Sequence, residues 1–267
     1  MNNTNNMIIF DFSNLAYLSL FAVTRTPELL EENFDGHHRI FISKVQSILQ
    51  KIYNNNAELV FCLDSHPKAK KEIYPEYKNG RKKFDFDPKK GLLPALSNIM
   101  QFSIAKVEGY EADDLIASLV KQNQDKNVIV VSSDKDLWVL LQYSNCNIYD
   151  INKNDYATHE AFVEKFKLQD YKHLTLYKTL WGDNSDNIQN MMPALQKSML
   201  PVIAESDGTL PSFLKLFEEK RPSFTKAVIK KFDENYDGII DNYTIVRLHT
   251  ELKVQIHKYI RNLEYNL

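Results

Sequence analysis

The stretch that decides the fold is MIIFDF, residues 7–12, an apolar run interrupted near its end by an aspartate. Two later runs are similar, AELVFCLD at residues 57–64 and VIVVS at residues 128–132, and polar residues follow each of them. Short runs rich in β-branched and aromatic residues are typical of strands buried on both faces of a parallel sheet. The sequence therefore predicts three central strands over these ranges.

Apolar residues recur at helical intervals between the predicted strands, at positions 40, 45, 48 and 49 and again at 115, 116, 119 and 120. This alternation predicts an α/β fold, with a mostly parallel central sheet flanked by helices. Beyond about residue 160 the apolar spacing is helical and no strand run is evident. We therefore expect an α/β core over residues 1–182 and a helical C-terminal subdomain over residues 183–267.

The bulk composition gives no sign of a nucleic-acid ligand. The 267 residues carry 33 Lys+Arg and 35 Asp+Glu, a formal charge of −2, whereas a strongly basic balance would indicate nucleic acid.

The seven glycines are well separated, which excludes a P-loop and a GxGxxG turn. Cys62 and Cys146 form no disulfide or zinc pattern, and no apolar stretch is typical of a signal peptide or a membrane span. A cytoplasmic location is the expectation.

Residues 66–90 depart from this neutral average, with nine Lys or Arg against four acids and four interleaved aromatic residues. A solvated loop and a surface for single-stranded nucleic acid both explain such a pattern.

Nine carboxylates lie where the predicted fold would bring them together. Asp11 and Asp64 end or follow the first two strands, and Asp134 and Asp136 follow the third. The carboxyl ends of parallel strands meet at one edge of the sheet, where a binding crevice forms. The other five are Glu111, Asp113 and Asp114 in EGYEADDL at residues 108–115, and Asp183 and Asp186 in WGDNSDNI at residues 181–188.

Gathered carboxylates repel one another and oppose folding, and divalent cations would offset that repulsion. Because the donors are oxygens without a His or Cys pattern, Mg²⁺ or Mn²⁺ is the expected ion. Two such ions can activate a water and stabilise the leaving oxygen of a phosphodiester.

The succession IFDFSNLAY, VFCLD, YPEYKNGR, VEGYEADDLIA, VSSDKDLWVLL and WGDNSDNI, between about residues 7 and 190, resembles the 5′-nuclease superfamily. This superfamily comprises flap endonucleases, the 5′ to 3′ exonuclease domain of bacterial DNA polymerase I, and bacteriophage 5′ nuclease/ribonuclease H enzymes. The resemblance implies a PIN-like core with a helical arch at about residues 65–91 that admits a 5′ single strand. It also favours a nucleic-acid surface over a solvated loop for the basic stretch.

Matched by position, the resemblance implies two metal-ligand groups. The first is Asp11, Asp64, Glu111, Asp113 and Asp114, and the second is Asp134, Asp136, Asp183 and Asp186, with Asp134 a candidate bridge. Asp11 and Asp134 are therefore also catalytic candidates. The resemblance further implies that Lys78 and Arg81 contact the scissile phosphate, that Tyr77 stacks on a base, and that Lys82 and Lys83 bind nucleic acid.

The implied activity is that of a structure-specific 5′ nuclease, a 5′-3′ exonuclease and flap endonuclease with RNase H-type activity. It would remove RNA primers or 5′ flaps in replication with two Mg²⁺ ions, for which Mn²⁺ substitutes. Its expected ligands are DNA with a 5′ flap, a nick or a single-stranded 5′ end, and RNA–DNA hybrid. A single-strand-binding protein, a clamp and a polymerase are candidate protein partners of an expected monomer.

One feature departs from the superfamily, because the glycine-rich hairpin that usually follows the GDxxDN motif is missing. Residues 189–206 read QNMMPALQKSMLPVIAES and contain no glycine, so the helix-hairpin-helix region is atypical and no K⁺ site is expected. This variant and the DFSN opening favour the phage enzymes, which would place the protein in the host cytoplasm.

Two other classes stay open at this point. A haloacid-dehalogenase-like phosphohydrolase also begins with a strand-end Asp, but its chemistry requires a second Asp where Ser13 stands. A non-catalytic nucleic-acid-binding protein of the same fold would be indicated by a lost carboxylate, and none of the nine is missing.

Overall fold

The computed structural model describes residues 5–23, 34–52, 57–79 and 87–261. Within these ranges, one seven-stranded sheet has the order β6-β5-β4-β1-β2-β3-β7. The strands are β1 Asn6–Asp11, β2 Ala57–Cys62, β3 Ser103–Ala105, β4 Asn127–Val131, β5 Cys146–Asp150, β6 Asp155–Tyr156 and β7 His257–Lys258. The five central strands are parallel, and β6 and β7 pair antiparallel at the two edges.

Eleven α-helices of the described ranges accompany this sheet. They are α1 Phe12–Val23, α2 Phe34–Ile52, α3 Lys68–Ile73, α4 Pro88–Ser97, α5 Ala112–Gln122, α6 His159–Phe166, α7 Leu174–Trp181, α8 Gln196–Glu205, α9 Leu210–Lys220, α10 Lys226–Glu234 and α11 Tyr236–Val246. None of the helices in these ranges has the length and apolar character needed to cross a membrane.

Strand β1 is central because its side chains are apolar on both faces. Met7 and Ile9 belong to one buried cluster, which includes residues of α5 and of the C-terminal helices. Ile8 and Phe10 belong to a second cluster on the other face, with residues of α1, α2 and α4. Successive side chains of a strand alternate between faces, so an uninterrupted apolar run requires cover on both sides.

The predicted α/β class is confirmed, and the three predicted strands correspond to β1, β2 and β4. Strand β3 was missed because it has only three residues, and β5 because the exposed Asn147 interrupts its apolar pattern. The expectation of no strand beyond residue 160 was wrong at β7. Its two exposed residues carry no apolar signal, and the pairing with β3 comes from tertiary contact.

The helices predicted beyond residue 160 are present, but they share their core with the sheet. Phe213 and Ile239 belong to the same buried cluster as Met7. After α11 the chain returns to the sheet, where β7 pairs with β3. The division of the chain at residue 182 stays a prediction.

Candidate active site

Two strand-end aspartates are held by hydrogen bonds at the carboxyl edge of the sheet. Asp11, the last residue of β1, accepts the Asn14 N–H at 3.0 Å and the Ser132 hydroxyl at 2.9 Å. Asp64, which follows β2, accepts the N–H of Ala112 at 2.8 Å in the first turn of α5. A carboxylate is favoured at the positive end of a helix dipole. Asp64 thus connects the end of β2 to the helix that carries the EADD motif.

Neighbouring carboxylates at this edge raise one another's pKa. Burial raises the pKa of Asp11 to about 7, and repulsion from Asp64 and Asp134 adds to the effect. Burial and the charges of Asp134 and Asp11 also raise the pKa of Asp113. These side chains therefore form one electrostatic unit of excess negative charge.

Glu111 differs from these aspartates because cations surround it. It precedes α5 and is 5% exposed. Its carboxylate accepts Lys70 at 2.9 Å, Lys78 at 2.5 Å and the Tyr77 hydroxyl at 2.8 Å. Burial opposes its ionisation, but the two lysines outweigh burial and lower its pKa to about 2.

A second group lies beyond β4 and around the end of α7. The N–H of Asp136 donates to Asp134 at 2.8 Å, and Lys178 of α7 pairs with both Asp136 and Asp183, the latter at 2.5 Å. Burial and the charge of Asp134 raise the pKa of Asp136 to about 7, although Lys178 opposes them. A single lysine does not neutralise this group.

The turn from Asp183 to Asp186 is formed by a glycine and by local hydrogen bonds. Gly182 has φ +69, and a Cβ there would lie 2.4 Å from the carbonyl oxygen of Ile188. The backbone N–H and the hydroxyl of Ser185 both donate to Asp183 Oδ1, at 2.8 and 2.6 Å. The turn therefore requires glycine at position 182 and sets the direction of the Asp183 carboxylate.

Tyr77 and Lys78 join the two groups. The Tyr77 hydroxyl, bonded to Glu111, also lies 3.4 Å from Asp186 Oδ2, and Lys78 Nζ lies 3.8 Å from the same oxygen. The Lys78 backbone N–H donates to the carbonyl oxygen of Asp186 at 3.0 Å, in a left-handed conformation with φ 55. Residues 77 and 78 of the predicted arch region are thus attached to the turn that carries Asp186.

An open cleft of about 570 Å³ lies beside the second group. Its lining combines acidic and basic side chains, among them Asp134, Asp136, Asp183, Lys135, Lys165 and Lys178. Such a lining suits a ligand that carries phosphates and brings or shares cations.

The chemistry of the donors fits Mg²⁺ or Mn²⁺, because the site offers carboxylate oxygens whose burial and mutual repulsion raise their pKa values. Within the described ranges, however, no three His, Cys, Asp or Glu side chains are grouped so as to hold an ion. The ammonium groups of Lys70, Lys78 and Lys178 pair with carboxylates of the site. The ligand set stays a prediction.

Comparison with known proteins decides the family. The family described as 5′-3′ exonuclease, N-terminal resolvase-like domain, matches residues 6–167, more than half of the chain. The chain belongs to the 5′-3′ exonuclease family. Members of this family are enzymes that hydrolyse phosphodiester bonds. Membership also removes the haloacid-dehalogenase alternative.

Individual relatives extend the match beyond the N-terminal domain. A 5′-3′ exonuclease of Aquifex aeolicus is 29% identical over 259 residues, which cover 94% of this chain and 84% of the relative. The thermostable DNA polymerase I of Thermus aquaticus is 25% identical over 217 residues, 79% of this chain but only 25% of the polymerase. The chain thus spans about a quarter of that polymerase.

Among solved structures, one of the bacteriophage T5 D15 protein with metal ions superposes with a TM-score of 0.67 at 19% identity. The superposition covers 92% of this chain and 90% of that chain. The shared architecture confirms the PIN-like 5′-nuclease fold.

Of the residues that the family resemblance singled out, Arg81, Lys82 and Lys83 lie outside the described residues. Tyr77 is 3% exposed, so its ring does not present a face to a base here, contrary to the stacking prediction. Its hydroxyl bonds the Glu111 and Asp186 carboxylates instead. The ring itself packs in an apolar cluster with Ile188 and Ile245.

Asp114 is a predicted metal ligand, and that role stays a prediction. It is 1% exposed, and it contacts the His249 N–H and Lys70. Lys70 and Lys178 themselves were missed by the sequence analysis. For Lys178 the available signal was its spacing, one helical turn before the GDxxDN motif, whereas nothing in the sequence separates Lys70 from the other basic residues of 66–90.

Met191 and Met192 are the buried residues at the start of the glycine-less region after Asp186. The N–H groups of Met191 and Met192 both donate to the Leu180 carbonyl at 3.0 Å, and the Trp181 indole donates to the Met192 carbonyl at 2.9 Å. Ala194 adopts a left-handed φ of 61, a conformation that usually favours glycine.

Proposed function

We propose that this member of the 5′-3′ exonuclease family is a divalent-metal-dependent, structure-specific 5′ nuclease. The observation that carries the proposal is that carboxylates from the ends of β1, β2 and β4 and from α5 act on one another electrostatically, as do those around Asp136 and Asp183. A cleft that also contains lysines lies beside them. This combination suits a phosphodiester, which is anionic and is cleaved with the help of hard cations.

Eight carboxylates are proposed to hold two Mg²⁺ ions, or Mn²⁺ in their place. They are Asp11, Asp64, Glu111 and Asp113 for one ion and Asp134, Asp136, Asp183 and Asp186 for the other, with Asp134 between them. When bound, such ions lower the pKa of a water and neutralise charge on the phosphate. Asp11 and Asp134 are the catalytic candidates because each faces charges from several elements.

The basic residues of this chain have a separate task, which is to bind and orient the phosphate. Lys78 Nζ lies between Glu111 and Asp186, so a phosphate at this point competes with carboxylates for an ammonium already in place. Lys135 and Lys165 line the cleft. We assign the same role to Arg81, Lys82 and Lys83 on the family resemblance.

The substrate class is DNA with a 5′ flap, a nick or a single-stranded 5′ end, together with RNA–DNA hybrid. A bacteriophage T5 flap endonuclease of the same fold has been solved with DNA and metal ions, at a TM-score of 0.66. Removal of RNA primers or flaps during replication in the cytoplasm, host cytoplasm for a phage protein, follows as the proposed task. A single-strand-binding protein, a clamp or a polymerase would be its partner.

The proposal is tested by mapping products from 5′-labelled flap, nicked, gapped and RNA–DNA hybrid substrates with Mg²⁺ and with Mn²⁺. We expect short 5′ products from the wild type and none from Asp186→Asn. The variant serves as a matched control because asparagine preserves the shape of the side chain and removes its charge. Intact substrates in the presence of both metals would overturn the proposed function.

Potassium offers a separate test of the region at residues 189–206, which contains no glycine. We expect affinity for a downstream duplex to be the same in K⁺ and in Na⁺ at equal ionic strength. A requirement for K⁺ that Na⁺ does not meet would contradict this expectation.

A further inference from the structure

The C-terminal segment from Arg247 to Leu252 lies against α5, the helix that begins with the EADD motif. The Ser118 hydroxyl donates to the His249 carbonyl at 2.8 Å and accepts the Leu252 N–H at 3.3 Å. Lys121 pairs with Glu251. We call residues 247–252 the strap.

The contacts with the strap follow one stripe of α5. Asp114, Ser118 and Lys121 are separated by four and three residues, which places them on one face of a helix. Asp114 Oδ1 accepts the backbone N–H of His249 at 3.0 Å, so the stripe begins inside the EADD motif. The strap thus reaches the first turn of the helix.

Asp113 and Asp114 are neighbours in sequence with different surroundings, because consecutive residues of a helix point about 100° apart. The charges of Asp134 and Asp11 act on Asp113. Asp114 is 1% exposed and has the strap on one side and Lys70 on the other, with Oδ2 at 3.4 Å from Nζ. Asp114 therefore links the strap to Lys70 next to the carboxylate site.

Lys70 connects Asp114 to Glu111. Its ammonium donates to Glu111 Oε2 at 2.9 Å while it faces Asp114. On the other side of Glu111, the Tyr110 ring meets the His249 ring edge to face, with centroids 5.2 Å apart. The strap therefore touches the residue before Glu111 and, through Asp114 and Lys70, the Glu111 carboxylate itself.

We propose that Asp114 is a positioning residue and that the strap, through it, sets the positions of Glu111 and Asp113 for metal binding. This inference rests on the proposed function, because it assigns the strap a task in a metal site. Partners that orient ligand side chains strengthen metal affinity without contacting the metal, and their loss costs about 10–100-fold. The strap, more than 130 residues from Asp114 in sequence, would then contribute to metal binding at the site.

The test is titration of the metal-free full chain with Mn²⁺, with free Mn²⁺ counted by its electron paramagnetic resonance signal. In Asp114→Ala we expect the same number of bound ions and a dissociation constant raised about tenfold. Asp114→Asn keeps an acceptor for the His249 N–H, and we expect a rise of only about threefold. Asp113→Asn is the matched neighbour, and we expect it to lose a bound ion.

The strap is tested through its backbone. His249→Pro removes the N–H that donates to Asp114, whereas His249→Ala keeps it. We expect the proline variant to match Asp114→Ala, and the variant that combines His249→Pro with Asp114→Ala to be no weaker than either. The alanine variant loses only the ring contact with Tyr110, and we expect it to weaken Mn²⁺ binding less than the proline variant does. If the proline variant does not fold, Ser118→Ala loosens the strap without altering its backbone, and we expect it to weaken Mn²⁺ binding about threefold.

Three results would overturn the inference. The first is loss of a bound ion in Asp114→Ala, as in Asp113→Asn, which would make Asp114 a ligand. The second is a lowered melting temperature with unchanged Mn²⁺ affinity in the Asp114 and strap variants, which would make the role only structural. The third is a wild type that binds no Mn²⁺.

The nuclease assay separates this inference from the proposed function. Suppose that the wild type and the variants bind Mn²⁺ as expected but the wild type cleaves no 5′ flap. That result would overturn the proposed function and leave the inference standing. Suppose instead that the wild type cleaves the flap but Asp114→Ala loses a bound ion. That result would overturn the inference and leave the proposed function standing.

Discussion

The surroundings of Glu111 and those of Asp136 neutralise a carboxylate of the site in different ways. Glu111, in the first group, lies between two buried or nearly buried lysines that hold its pKa at about 2. Asp136, in the second group, has one lysine and a neighbouring aspartate, and its pKa is about 7. The second group also borders the open cleft, where Lys178 lines the wall.

The difference shows two solutions to the same electrostatic problem. Where cations of the chain itself surround a carboxylate, ionisation is secured without any ligand. Where they are too few, the group takes up protons or requires a bound cation. The first arrangement supports the shape of the site, and the second makes the site responsive to pH and to metal.

The largest expected effect comes from Asp134, which faces both groups. Asp134→Asn should lower cleavage of a 5′ flap by about 10³-fold or more, since it removes charge between the two proposed ions. Binding of the same substrate should change by less than about threefold, because lysines supply most of the affinity. Single-turnover cleavage and a fluorescence-anisotropy titration measure the two quantities. Parallel loss of binding at physiological Mg²⁺ would contradict this division.

Removal of one lysine beside Glu111 and of one beside Asp136 should lower the free energy of unfolding by different amounts. Lys70→Met should lower the free energy of unfolding by about 3 kcal/mol, because it leaves Glu111 and Asp114 short of a cation in a buried place. Lys178→Met should cost less, about 2 kcal/mol, since Asp136 can stay protonated near neutral pH and only Asp183 is left ionised without its cation. Urea denaturation at pH 7 without metal compares the two variants. Equal losses would show that the groups do not differ.

Two glycines allow a backbone comparison, one before each group. Gly182→Ala should destabilise the protein by about 3 kcal/mol, because a Cβ at φ +69 would lie 2.4 Å from the Ile188 carbonyl oxygen. Gly109→Ala, at φ +86 with no atom within 4 Å of its Cβ, should cost only about 1 kcal/mol. Thermal unfolding followed by circular dichroism measures both. A larger loss of stability in Gly109→Ala than in Gly182→Ala would show that the Gly182 turn does not specifically require glycine.

The smallest expected effect is a change of metal affinity with pH. Asp11 and Asp136, with pKa values of about 7, are mostly protonated at pH 6 and ionised at pH 8, so Mg²⁺ must displace protons at the lower pH. The Mg²⁺ concentration that gives half of the maximal rise in melting temperature should therefore be about tenfold or more higher at pH 6. Glu111, with a pKa of about 2, contributes nothing to this change.

The matched control for the pH effect is Asp136→Asn, which removes one of the titrating groups. Its Mg²⁺ midpoint should depend less on pH than that of the wild type. A wild-type midpoint that is the same at pH 6 and pH 8 would show that neither aspartate takes up a proton in this range.

The net charge of −2 illustrates what the composition alone conceals. The nine predicted ligands account for 9 of the 35 acids, which leaves 26 acids against 33 bases, or +7 for the rest of the chain. In the structure, Lys70, Lys78 and Lys178 are part of the acidic site, so the basic and acidic populations are not fully separated. The sequence showed the excess of bases but not where each base lies.

The sequence by itself determined the α/β class, the three central strands and the approach of Asp11, Asp64 and Asp134 to one edge. The strands follow from apolar runs along the chain, and the shared edge follows from the rule that the carboxyl ends of parallel strands meet at one side of a sheet. Only the tertiary structure decided that Glu111 lies between Lys70 and Lys78, that Tyr77 is buried, and that His249 reaches Asp114. Such contacts join side chains from distant segments, and no periodicity along the chain specifies them.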